Sequence, residues 1–118
     1  MDDSLIIFPE NAPEIDYQEL YRETFLQLKK DFNPFLDCGD LPSILNGQIL
    51  YNLTLDWIKV IITEQPSHLG AILYRIDIQE RKAKTELHQA IQGDSAETLA
   101  RMILKREAQK VWLRKTFS

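Results

Sequence analysis

From Tyr17 onward the apolar residues recur at the spacing of a single helix face. Tyr17, Tyr21, Phe25, Leu28 and Phe32 fall at i, i+4, i+8, i+11 and i+15, which lines them up as one stripe of an α-helix. Asp16-Tyr17-Gln18-Glu19, just ahead of the stripe, has the spacing of a capping box: an acidic side chain accepts from a backbone N–H and a glutamate three residues on reaches back. Ile15 and Leu20 stand where a hydrophobic staple would join them. Asn33-Pro34 predicts the end of this helix, because the residue before proline is pushed out of the helical region.

Cys38-Gly39-Asp40-Leu41-Pro42 has loop composition, with Asp40 offered as a cap for the next element. Between residues 43 and 64, Ile44, Leu45, Ile49, Leu50, Leu53, Leu55, Trp57, Ile58, Val60, Ile61 and Ile62 cover nearly every side, so the segment is expected to be central. Within residues 53–63, Leu53, Leu55 and Trp57 alternate and Val60-Ile61-Ile62-Thr63 is β-branched, which also suits a strand. Some twenty residues without a turn signal favour a buried helix.

Gln65-Pro66-Ser67 breaks the pattern, with Ser67 as a candidate cap. Leu69, Ile72, Leu73 and Ile76 then form a short stripe, and Ala83, Leu87, Ala90 and Ile91 continue it nearly in phase. Asp77-Ile78-Gln79-Glu80 repeats the capping-box spacing, so a kink at Asp77 reconciles the two signals. Gly93 ends the element, and Asp94-Ser95-Ala96-Glu97 opens a last helix through Ala100, Ile103, Leu104 and Val111 toward Phe117.

Pro9 and Pro13 set residues 1–15 apart as an extended arm, and residues 16–118 form a single helical domain. The arm carries Leu5, Ile6, Ile7 and Phe8 in a row. Burying such side chains contributes ~1.5–3 kcal/mol each, which predicts that the arm docks on the body or on a neighbouring subunit. The expected fold is all-α, a compact bundle of four to five helices whose short connections make consecutive helices antiparallel neighbours.

Composition supports this class. A chain of 118 residues with 44% apolar content suffices for one core, and four glycines and five prolines leave long uninterrupted stretches. Cys38 is the sole cysteine, which excludes an intrachain disulfide and fits a reducing compartment. The run Leu5–Phe8 is too short for a membrane span. A cytoplasmic protein with no membrane contact is expected.

Charge changes the picture more. Residues 1–40 hold ten Asp/Glu against three Lys/Arg, while residues 81–118 hold nine Lys/Arg against four Asp/Glu, within an overall charge of −4. Arg106, Lys110 and Arg114 make a ridge at i, i+4, i+8, with Arg101, Lys105, Lys115 and Trp112 nearby. Such a ridge suits phosphates, with Trp112 as a stacking surface. It equally suits the negative end of its own helix dipole, worth ~0.3–1 kcal/mol per cation. Like charges four residues apart repel by roughly 0.2–0.5 kcal/mol per pair, so Asp16, Glu19 and Glu23 are natural neighbours for it, in one chain or across a dimer.

Chemistry finds less support. His68 and His88 lack a second ligand at metal spacing, so no metal and no cofactor is expected. Asp37 and Asp40 flank Cys38 and would raise its pKa, against the needs of a nucleophile. Asp56, beside Asn52 in the central segment, is the carboxylate that would matter if buried, its plainer role being a solvent-facing strip. Arg75 and Asp77 suggest an ion pair and a cap.

Leu-Tyr-Arg occurs at residues 20–22 and 73–75 and is similar to the tripeptide of the small helical LYR-motif proteins, adaptors of mitochondrial complexes. Glu23 and Thr24 come next here in place of that family's basic and aromatic residues, so no role is carried over. Residues 71–78, Ala-Ile-Leu-Tyr-Arg-Ile-Asp-Ile, and 103–110, Ile-Leu-Lys-Arg-Glu-Ala-Gln-Lys, resemble segments of small uncharacterised bacterial helical proteins. That resemblance implies a bacterial helical domain without an assigned activity.

The expectation is a non-enzymatic protein-protein interaction module, homodimeric, using Leu5, Ile6, Ile7, Phe8, Arg106, Lys110, Trp112 and Arg114. The alternative is nucleic-acid binding through the basic last helix, against which the sequence pI near 5.1 counts.

Overall fold

The computed structural model describes residues 16–79, 81–82, 85 and 95–117. The arm with Leu5–Phe8, the staple residue Ile15, the stripe from Ala83 to Ile91, His88, Gly93 and the cap at Asp94 lie outside the described residues. Four α-helices are present among the described residues, and no strand: α1 (Tyr17–Phe32), α2 (Gly47–Glu64), α3 (Leu69–Ile76) and α4 (Ser95–Phe117), with a 3₁₀ turn over Pro66–His68.

Asp16 caps α1 as its spacing requires, its carboxylate accepting from the backbone N–H groups of Gln18 at 3.0 Å and Glu19 at 3.2 Å. The side chain of Glu19 is directed instead to Lys115. Phe25, Leu28 and Phe32 are buried, joined by Leu20 and Thr24, while Tyr17 and Tyr21 are half-buried. The helix stops at Phe32, where the Asn33 N–H reaches the Lys29 carbonyl at 2.8 Å.

The central segment is helical, not extended, and begins later than its apolar content suggests. Its cap is Asn46, whose side chain accepts from Ile49 N–H at 2.9 Å. Asp40 lies exposed in the loop six residues earlier. Leu50, Tyr51, Thr54, Trp57, Ile58 and Ile61 form the buried face of α2, so Val60 and Ile62 are left exposed. The helix of this segment, Gly47–Glu64, is therefore one-sided and not covered all round. Trp57 lies among rings from α1, 5.4 Å from Phe32 and 6.2 Å from Phe25 between centroids. The buried Thr24 and Thr54 hydroxyls return to carbonyls four residues back in their own helices, which meets their hydrogen-bonding need without a partner.

Two caps differ from expectation. Ser67 belongs to the 3₁₀ turn, and His68 precedes α3 without a side-chain cap. Asp77 ends α3 instead of kinking it: its φ of 71° is left-handed, and the Ile78 N–H closes back onto the Leu73 carbonyl at 2.9 Å. This is the Schellman closure, occupied by aspartate where glycine is commonest.

The last helix is the axis of the molecule. Leu99, Ala100, Ile103, Leu104, Ala108 and Val111 are buried along it, and it packs on both α2 and α1. Glu19 at the start of α1 meets Lys115, whereas Asp31 at its end meets Lys110, so α1 and α4 run antiparallel.

Candidate functional site

One buried polar cluster crosses the junction of α1, α3 and α4. Glu107 lies on the buried stripe of α4 with no accessible surface, and Asp31 on α1 is 4% exposed. Between them stands Lys110, its Nζ 2.5 Å from Glu107 Oε1 and 3.1 Å from Asp31 Oδ2. The contact to Glu107 is close but out of hydrogen-bonding alignment, so both oxygens of Glu107 lack a donor. Asp31 is better supplied. Gln27 Nε2 donates to its Oδ2 at 3.1 Å, and Arg75 lies 4.0 Å from Oδ1 while donating to the backbone carbonyls of Asp31 and Lys30. Arg114 in turn donates to Gln27 Oε1 at 2.9 Å.

These surroundings separate the two carboxyls. Burial pushes Glu107 up to about 9, with the neighbouring Asp31 adding to the rise and Lys110 opposing it. Burial also pushes Asp31 upward, but hydrogen bonds from Glu107, Gln27 and Lys110 outweigh it and leave its pKa below the ordinary carboxylate value. The pair is thus set with Glu107 as the protonated member and Asp31 as the ionised one. Neither residue lines a described cavity.

The basic ridge is engaged within the chain, though not by Asp16, Glu19 or Glu23 as a set. Arg106 binds Asp77, with Nη2 2.7 Å from Oδ2 and Nε donating to the backbone carbonyl. Lys110 belongs to the buried cluster, Arg114 holds Gln27, and Lys115 is the cation that finds Glu19. Arg75 and Asp77 consequently pair with other residues and not with each other. Trp112 is half-buried against the satellite cluster of Leu20, Ala108 and Val111.

The remaining candidates occupy plain positions. Asp56 is exposed, the solvent-facing alternative for that residue. Cys38 is buried, and burial pushes its thiol up to about 11, with Lys29 lowering and Asp37 raising it. Asp37 thus contributes as expected, but less than desolvation. His68 Nδ1 lies 2.7 Å from Gln65 Oε1, with its ring 5.3 Å from that of Phe35. No group of side chains suited to a metal ion occurs among the described residues, and no helix there is long and apolar enough to cross a membrane.

A groove of about 1180 Å³ runs between the Asp77 turn and the outer face of α4. Lys82, Arg101, Lys105 and Arg106 line it against Asp77, with Ile78 and Met102 as its apolar floor. Arg101 also stands over the Tyr51 ring, 5.8 Å from its centroid. No aromatic side chain is among the groove's described lining residues. Of the ridge read from sequence, Arg106 lines this surface together with the neighbouring Arg101 and Lys105, and the fold adds Lys82.

No protein family, no curated protein and no solved structure was found to match the chain.

Proposed function

We propose that the chain is a non-enzymatic, cytoplasmic interaction module that dimerises by seating the first fifteen residues of a second copy in the basic groove of α4. The observation that carries this reading is charge complementarity. Among its described lining residues the groove presents Lys82, Arg101, Lys105 and Arg106 against the single acid Asp77, whereas residues 1–15 contain Asp2, Asp3, Glu10 and Glu14 and no Lys or Arg. Leu5–Phe8 match the apolar floor of Ile78 and Met102 in character. The described lining residues offer charge without an aromatic face, which suits an acidic peptide better than unpaired bases, which bind by stacking. A buried thiol with a raised pKa and a carboxyl pair set away from the groove support binding over catalysis.

Size-exclusion chromatography with light scattering at low salt tests the reading. A dimer is expected for the full chain, and a monomer for the Lys82→Glu/Lys105→Glu variant and for a chain lacking residues 1–12. A full chain that is monomeric, or a dimer indifferent to both changes, overturns it. Salt-sensitive retention of single-stranded DNA, weakened by Arg101→Ala/Lys105→Ala, would instead favour the nucleic-acid reading.

A further inference from the structure

We propose that a proton held between Glu107 and Asp31 latches α4 to α1, and that its loss in alkaline solution loosens the junction of α1, α3 and α4. The latch is independent of the dimer. Its basis is a charge count at a dry point in the fold. Two carboxyl groups from two helices are buried together, and a single ammonium, Lys110, lies within 3.1 Å of both. With both acids ionised, Glu107 would be a buried anion whose oxygens have no aligned donor, a costly arrangement in a low-dielectric interior. A proton on Glu107 removes that charge and creates the O–H that Asp31 accepts.

Every element at the junction contributes to the balance. On α1, Asp31 is the charged group, supported by the neutral Gln27, and Lys30 contributes its carbonyl. On α3, Arg75 spends its Nε and one Nη on carbonyls and stands 4.0 Å from Asp31. On α4, Lys110 serves both acids, and Arg114 reaches Gln27. The side of α2 that packs on α4 is apolar apart from Thr54, which bonds within its helix, and Tyr51, whose ring lies under Arg101. Asp31 and Lys110 are thus the charges that act on Glu107.

Folding is thereby coupled to proton uptake. An unfolded chain at neutral pH has Glu107 ionised, so folding takes up a proton from solvent, and in alkali hydroxide removes it as water. Because the folded pKa is raised, this contribution to stability is complete below the ordinary value of 4.5 and is lost as the pH rises through about 9.

Urea unfolding of wild type and Glu107→Gln across this range is the test. Glutamine cannot ionise and its amide donates as the protonated acid does. The wild-type midpoint should fall steadily from about pH 5 to about pH 9 relative to a level profile for Glu107→Gln, with the variant the more stable at the upper end. Parallel profiles overturn the proposal. The carboxyl carbon resonance of Glu107 in ¹³C-labelled wild type keeps the question open to test should the variant not fold. A neutral-acid shift at pH 7 that titrates in alkali is expected, and an ionised shift at pH 7 overturns the latch.

Discussion

Lys115 Nζ lies 2.8 Å from Glu19 Oε1, tying the last turns of α4 to the first turn of α1. Because the two helices are antiparallel, the negative end of one dipole and the positive end of the other meet here, each beside the side-chain charge that suits it. The pair is nonetheless open to water, its side chains 39% and 42% exposed. A double-mutant cycle on Lys115→Ala and Glu19→Ala should therefore give a coupling of about 0.2–1 kcal/mol that disappears in high salt. A larger, salt-resistant coupling in urea unfolding would contradict this assignment.

Asp31 should govern the acid side of the stability profile. Its folded pKa is lowered, so its contribution is present above the ordinary value of 3.8 and is lost as the pH falls through the folded pKa. Asp31→Asn should lower stability by about 1–3 kcal/mol at neutral pH, since it removes an ionised acceptor from buried donors. Below about pH 4 the variant should show a flatter decline than wild type in thermal melts.

Cys38 should be a slow thiol. With its pKa pushed from 9.0 up to about 11, the thiolate fraction near neutral pH is about 100-fold lower than in the unfolded chain. Alkylation by iodoacetamide should be slower in the native protein by at least that factor, because burial restricts access as well. A native rate equal to that in urea would contradict the burial of Cys38.

Asp77 holds two opposing effects at one position. Its left-handed φ of 71° favours glycine, whereas its carboxylate binds Arg106 at 2.7 Å. Backbone relief from Asp77→Gly is worth about 1 kcal/mol and loss of the exposed ion pair costs about the same or less. Asp77→Gly should therefore leave stability unchanged or raise it by up to about 1 kcal/mol, while Asp77→Ala, which relieves nothing, should lower it by about 0.2–1 kcal/mol by urea unfolding.

The helices were legible wherever local chemistry and periodicity agreed. Asp16 before a stripe ending at Phe32 set both bounds of α1, and the length of the uninterrupted apolar segment distinguished α2 from a strand. Caps were harder, because Asn46, Ser67 and Asp77 are all of capping type and only tertiary placement decides which of them caps and at which end. The polar cluster left half a signal. Glu107 sits four residues after Ile103 and four before Val111, in the middle of an apolar stripe, and that position marks it as buried. Its company could not be read this way, since Asp31 and Lys110 are 79 residues apart in sequence. The charge ridge shows the same limit: helix periodicity aligned Arg106, Lys110 and Arg114, but the packing of α1, α3 and α4 chose a different partner for each.

The two tryptophans are placed so that the protein reports on itself. Trp57 sits 7% exposed between the rings of Phe25 and Phe32 in the main core, whereas Trp112 rests half-buried on the smaller cluster of Leu20, Ala108 and Val111. Indole emission shifts to the blue as water is excluded, so the two should emit at different wavelengths. Variants retaining one tryptophan each, Trp57→Phe and Trp112→Phe, would then show optically, without an attached label, whether the α1–α4 end and the central α1–α2 contact come apart together or in sequence.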